Sequence, residues 1–137
     1  MKSLFLTPLS WRQIGVRKYL LTSPLIYYSE LLDGTVEAPA GRITDGESCP
    51  VWLPIINSMF GNLTNEGAVI HDELYTTQKY SREVCDKVLV EAIRTMPEPP
   101  SEWRIMGIYY GLRIGGWLAW NQHKRDNLLT KEQIVNR

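Results

Sequence analysis

Three side chains in this sequence have the types and spacing of a proton relay: His71, Tyr75 four residues later, and Asp86 eleven beyond that. Four residues is about one helical turn, so a helix through Ala68–Tyr75 puts the imidazole and the phenol on one face. Ser81–Ile93 reads as a second helix, in which Asp86 falls on the same stripe as Leu89, Val90 and Ile93. An unpartnered carboxylate on an apolar stripe costs on the order of several kcal/mol, and His71 and Tyr75 are two donors able to meet it. An imidazole held in one tautomer by a buried carboxylate takes a proton from water near neutral pH, which is general-base chemistry. The same trio serves equally well as a purely structural network, because ion pairs perturb ionisation without doing chemistry. Sequence leaves both readings open.

Asp72, beside the proposed base, reads as a solvated acid, and Asp45 as a turn residue. His123 sits near the predicted end of a helix, where a cation suits the helix dipole. Other chemistries lack their parts. No His precedes His71, which removes the usual histidine–aspartate metal phosphohydrolase pattern, and no G-x-S-x-G run marks a serine nucleophile. Cys49 and Cys85 are too few for a zinc site of paired cysteines or a disulfide scaffold.

The elements that must position these residues divide the chain in two. Up to residue 46 it reads as extended: Leu25–Tyr28 and Thr35–Ala38 flank Asp33-Gly34, a dipeptide suited to positive φ in a hairpin, and Tyr19–Leu21 and Arg42–Thr44 are shorter strands. A small antiparallel sheet of three or four strands follows. Val51–Phe60 is a short apolar helical segment, and Asn65–Thr77 carries His71. Ser81 caps the Asp86 helix, and Pro97, Pro99 and Pro100 stop it by Met96. Ser101 opens a third helix running to His123, with Gly107, Gly111 and Gly115 on one side for close packing and Trp103, Met106, Tyr110 and Trp117 on another. Thr130–Gln133 is a capping box for a short terminal turn.

With 137 residues, 44% hydrophobic and 22% charged, the chain has the size and composition of one folded domain. Fifteen basic and fifteen acidic residues give no electrostatic case for nucleic acid as the main partner. The N-terminal apolar run, broken by Pro8, is too short for a signal peptide, which implies synthesis in a cytoplasm. Trp103–Trp120 is apolar apart from Arg104 and Arg113, but Arg113 near mid-span would cost ~2.5 kcal/mol or more, so a buried or interface helix is expected rather than a transmembrane one.

Four motifs in order, Val36–Pro50, Val69–Tyr75, Ser81–Asp86 and Arg113–Trp117, resemble a domain-of-unknown-function family found mainly in tailed phages and prophages. A second likeness is to the helical pair of phospholipase A2, in which a His-Asp-x-x-Tyr helix faces an antiparallel helix bearing an Asp. That likeness implies His71 as general base, Asp86 and Tyr75 as its orienting pair, and calcium on Asp72, with Asp45 in Gly41–Gly46 as the candidate loop ligand. The dense cysteine framework of that enzyme is missing here.

Together these readings predict an α+β chain of one domain, 1–137. Residues 1–46 are mainly β, 50–123 form a three-helix, phospholipase-A2-like core, and 124–137 are a C-terminal tail. The function expected is that of a virion protein of the tail or portal region, made in the host cytoplasm. It is part of a multi-subunit assembly that meets other virion proteins and host membrane lipid, and its site activates water for acyl-ester hydrolysis. A purely structural virion component and a small effector binding a host protein are the alternatives.

Overall fold

In a computed structural model, residues 1–16, 18–45 and 65–135 are described. In its central hairpin the N-terminal part of the chain alternates in a way that buries every second side chain. In β4 (Leu25–Ser29), Leu25, Tyr27 and Ser29 point inward, and in β5 (Gly34–Ala38), Val36 and Ala38 do. The two pair antiparallel from Leu25 opposite Ala38 to Ser29 opposite Gly34, and Asp33 supplies the positive φ (49°) of the connecting turn. β1 (Leu4–Phe5) adds to the free side of β4. A second antiparallel sheet has the order β2 (Trp11–Gly15), β3 (Lys18–Leu21), β6 (Ile43–Asp45). The hairpin and the two short strands are where the sequence puts them. The single sheet is instead two, since β4 pairs with β5 and β3 with β6, and β1 and β2, too short or too polar to show alternation, add a third strand to each.

Among the described residues four helices follow: α1 (Asn65–Thr77), α2 (Arg82–Arg94), α3 (Glu102–Gly115) and α4 (Trp117–Val135). Ser81 caps α2 by accepting the Val84 N–H on its hydroxyl. A Cβ on Gly67 would lie 3.1 Å from Leu89 Cδ1. Position 67 thus meets 89 while 71 and 75 meet 86, so α1 and α2 run antiparallel in close contact.

Helix α2 is buried on two sides. Cys85, Val88 and Ala92 join Val69, Ile70, Leu74 and Tyr75 of α1 and the inward strand residues Leu21, Leu25, Tyr27, Val36 and Ala38 in one core. Leu89, Val90 and Ile93 join Ile105, Ile108 and Leu112 of α3 in a second. Two polar clasps tie the sheets to the helices. Tyr27 donates to Glu91 Oε1 (2.7 Å), and Arg42 Nη2 donates to Glu73 Oε1 (2.9 Å). Arg42 Nε lies 2.8 Å from Glu73 Oε2 as an ion-pair contact, but it is too poorly aligned to count as a hydrogen bond.

The helical part departs from the sequence reading in three respects. The predicted third helix is two helices, because the chain leaves regular helix at Gly116, where Arg82 of α2 takes the Leu112 and Arg113 carbonyls. The predicted tail, as far as Val135, is the continuation of α4, in which Thr130 donates to the Asp126 carbonyl one turn back instead of capping a new turn. Close backbone approach is made at Gly67 and Gly116, and the space where a Gly107 Cβ would stand is open. The Val51–Phe60 segment and Cys49 lie outside the described residues.

Candidate functional site

Asp86 is fully buried, and both its carboxylate oxygens are occupied. Oδ1 lies 2.8 Å from His71 Nε2 and accepts the Tyr75 hydroxyl at 2.6 Å. Oδ2 accepts Arg113 Nη1 at 2.9 Å and faces Arg82 Nη1 at 3.5 Å. One helical turn of α1 thus supplies two donors to one oxygen, while α2 and α3 supply two cations to the other. His71 and Tyr75 stack obliquely with ring centroids 4.2 Å apart, and Trp120 of α4 meets Tyr75 edge-on at 5.1 Å.

Burial alone would push the Asp86 carboxyl up. The hydrogen bond and charge of His71, with the bonds from Tyr75 and Arg113, outweigh it and hold the group below the usual carboxylate range. Burial and the bond to Asp86 raise Tyr75 well above an ordinary phenol, so it remains a donor. An ionised carboxylate only accepts, so Nε2 of His71 carries the proton, and in the neutral ring Nδ1 is the basic nitrogen. Among the described residues Nδ1 has no hydrogen-bond partner. The geometry can therefore orient an imidazole with its lone pair away from Asp86. Arg113 and Arg82 balance the carboxylate charge, so orientation is what Asp86 contributes most.

Gly116 makes room for this arrangement. A Cβ there would come within 2.7 Å of the Tyr75 hydroxyl and 3.1 Å of Arg82 Nη1. Cys85, next to Asp86, is buried and its thiol is pushed up to about 12 by burial first and the Asp86 charge second, which leaves it protonated and unreactive.

His71, Tyr75 and Asp86 come together as their spacing predicts. Asp72 does not join them: its Oδ1 lies 3.5 Å from Nε2 of His123, an internal residue of α4 rather than a helix-end cation. The backbone of Asp45 ends β6, and its side chain is outside what the structure describes. Calcium takes about six to eight oxygen ligands. No group of three or more His, Cys, Asp or Glu converges among the described residues, and backbone and amide carbonyls serve calcium as well as carboxylates do.

Sequence reasoning missed Arg113 and Arg82. The signal for Arg113 was present, since a cation stranded in an apolar run and an anion stranded in another are natural partners. Arg82 stands four residues before Asp86, on the same face of α2.

A family model described as Protein of unknown function (DUF1353) matches residues 19–111, which takes in the strands from β3 onward, His71, Tyr75, Arg82 and Asp86. Neither a curated protein nor a solved structure matches the chain.

Proposed function

Since the chain belongs to this family of unknown function, its own site is the guide, and we propose that it is a hydrolase whose His71 activates water against an acyl ester of a phospholipid. The observation that carries the reading is the pinning of Nε2 by Asp86 Oδ1, with Tyr75 fixing the same oxygen, which leaves Nδ1 as the base. In the proposed reaction Nδ1 takes a proton from water as the water oxygen bonds to the ester carbonyl carbon. The tetrahedral intermediate then expels the alcohol oxygen, which recovers that proton from Nδ1, giving a carboxylic acid and an alcohol. The proposed setting is a phage particle, in its tail or portal region among other virion proteins, with the host envelope as the source of substrate.

One observation favours a second reading. With both Asp86 oxygens satisfied and its charge balanced by two guanidiniums, the network also has what a structural tie between α1, α2 and α3 requires. Turnover of mixed phospholipid vesicles, with calcium or chelator, separates the two and tests the calcium role proposed for Asp72 and Asp45. The hydrolase reading expects His71→Asn to lose ~10²-fold or more in rate with its fold intact. No turnover by the wild type, or equal turnover by the variant, leaves the structural reading.

A further inference from the structure

We infer that the outer side of α3 and the first turn of α4 form a docking surface for an anionic phospholipid bilayer. Trp103, Tyr110, Ile114, Trp117 and Leu118 are each 51–79% exposed. Within α3 the separations of seven and four residues put Trp103, Tyr110 and Ile114 on one side, and exposed Trp117 and Leu118 follow at the start of α4. The other side of α3 is already committed, with Ile105, Ile108 and Leu112 buried against α2. An element apolar on both sides, one of them exposed along its whole length, fits a second apolar medium.

Charge and position choose the medium. Leaving out Arg113, which is paired with Asp86, residues 102–131 hold four basic and two acidic side chains in a chain of formal net charge zero, and exposed Lys124 and Arg125 follow the aromatic stripe along α4. Trp and Tyr rings seat at the polar boundary of a bilayer, and nearby Lys and Arg are drawn to anionic headgroups. The stripe also shares its turns with the site: Arg113, beside Ile114, holds Asp86, and Gly116, beside Trp117, meets the Tyr75 hydroxyl. A surface held on the stripe is therefore held next to the His71 network. A second copy of the chain could cover the apolar residues but would place like charges together. The purpose of the docking rests on the hydrolytic reading, whereas the docking itself needs no turnover. No helix among the described residues is long and apolar enough to cross a membrane, so the contact is one of lying on the surface.

The test is co-sedimentation of the whole chain with vesicles of phosphatidylglycerol in phosphatidylcholine, against phosphatidylcholine alone, with tryptophan emission followed in parallel. The anionic vesicles should carry the protein down and blue-shift its emission, and added salt should weaken both. Replacing Trp103, Ile114 and Trp117 together by Ser should lower the partition roughly tenfold or more. Lys124→Glu with Arg125→Glu, at exposed positions, should weaken it as well, each variant being checked for an unchanged circular dichroism spectrum. Protein left in the supernatant with anionic vesicles overturns the inference, as does a triple Ser variant that sediments like the wild type. A concentration-dependent dimer lost in that variant, without vesicle binding, assigns the stripe to a second copy and also overturns it. Vesicle binding without lipid turnover supports the docking surface and removes the hydrolase. Turnover of a soluble short-chain ester by a protein that ignores vesicles does the reverse.

Discussion

Asp86→Ala removes a group that ties three helices together, and its cost can be built from the contacts. Tyr75, almost wholly buried, loses the acceptor 2.6 Å from its hydroxyl, and His71 loses the acceptor 2.8 Å from Nε2. A buried donor left without a partner costs about 1–3 kcal/mol. The guanidiniums of Arg113 and Arg82 lose their counter-charge, but their side chains are 30% and 19% exposed, so water recovers part of that loss. Breaking a buried pair costs about 3–5 kcal/mol, and partial hydration of the arginines places this one near the low end, about 3 kcal/mol. With a urea dependence of about 1.5–2 kcal/mol per molar, the unfolding midpoint should fall by roughly 1.5–2 M with an unchanged slope. Adding Arg113→Met should cost less than the sum of the two single changes, because the second removes a cation already stranded. A midpoint shift under about 0.5 M, or strict additivity with Arg113→Met, would refute the reasoning.

Two further outcomes follow from the same contacts. Gly116→Ala, whose Cβ would meet Leu112 O at 2.6 Å and the Tyr75 hydroxyl at 2.7 Å, should lower stability by about 2 kcal/mol. Gly107→Ala, in open space on α3, should raise it by about 0.5–1 kcal/mol, and urea melts of both report the contrast. Asp86 is held below the usual carboxylate range when folded, so it contributes stability that is present above the unfolded value of about 3.9 and lost as pH falls through the lower folded one. Below about pH 4 the wild-type urea midpoint should therefore drop with acidity more steeply than that of Asp86→Asn, whose amide does not titrate.

The His71–Tyr75–Asp86 network was legible because every step is local: one turn fixes His71 against Tyr75, an apolar stripe makes Asp86 need partners, and a short connection forces antiparallel helices. The Leu25–Ala38 hairpin was legible for the same reason. What escaped depends on tertiary contact. Gly115-Gly116 is a weak point for a helix, but the sequence does not show that Arg82 of another helix reaches the Leu112 and Arg113 carbonyls there. The glycine row on α3 suggested packing where Gly107 has none, because spacing shows that small residues align but not which side meets a neighbour. The apparent capping box at Thr130 lost to continuation of α4, whose Asp126 carbonyl was a ready acceptor. Two-residue β1 is too short to show alternation at all.

Hydrolysis by His71 depends on which of its ring nitrogens is the base. Long-range ¹⁵N–¹H correlation spectra of the imidazole read this directly in the neutral ring. The structure calls for a protonated Nε2 facing Asp86 and an unprotonated Nδ1, a pattern that should blur into exchange between tautomers in Asp86→Ala. A wild-type spectrum with the proton on Nδ1 would contradict it, because the nitrogen meant to take a proton from water would already hold one.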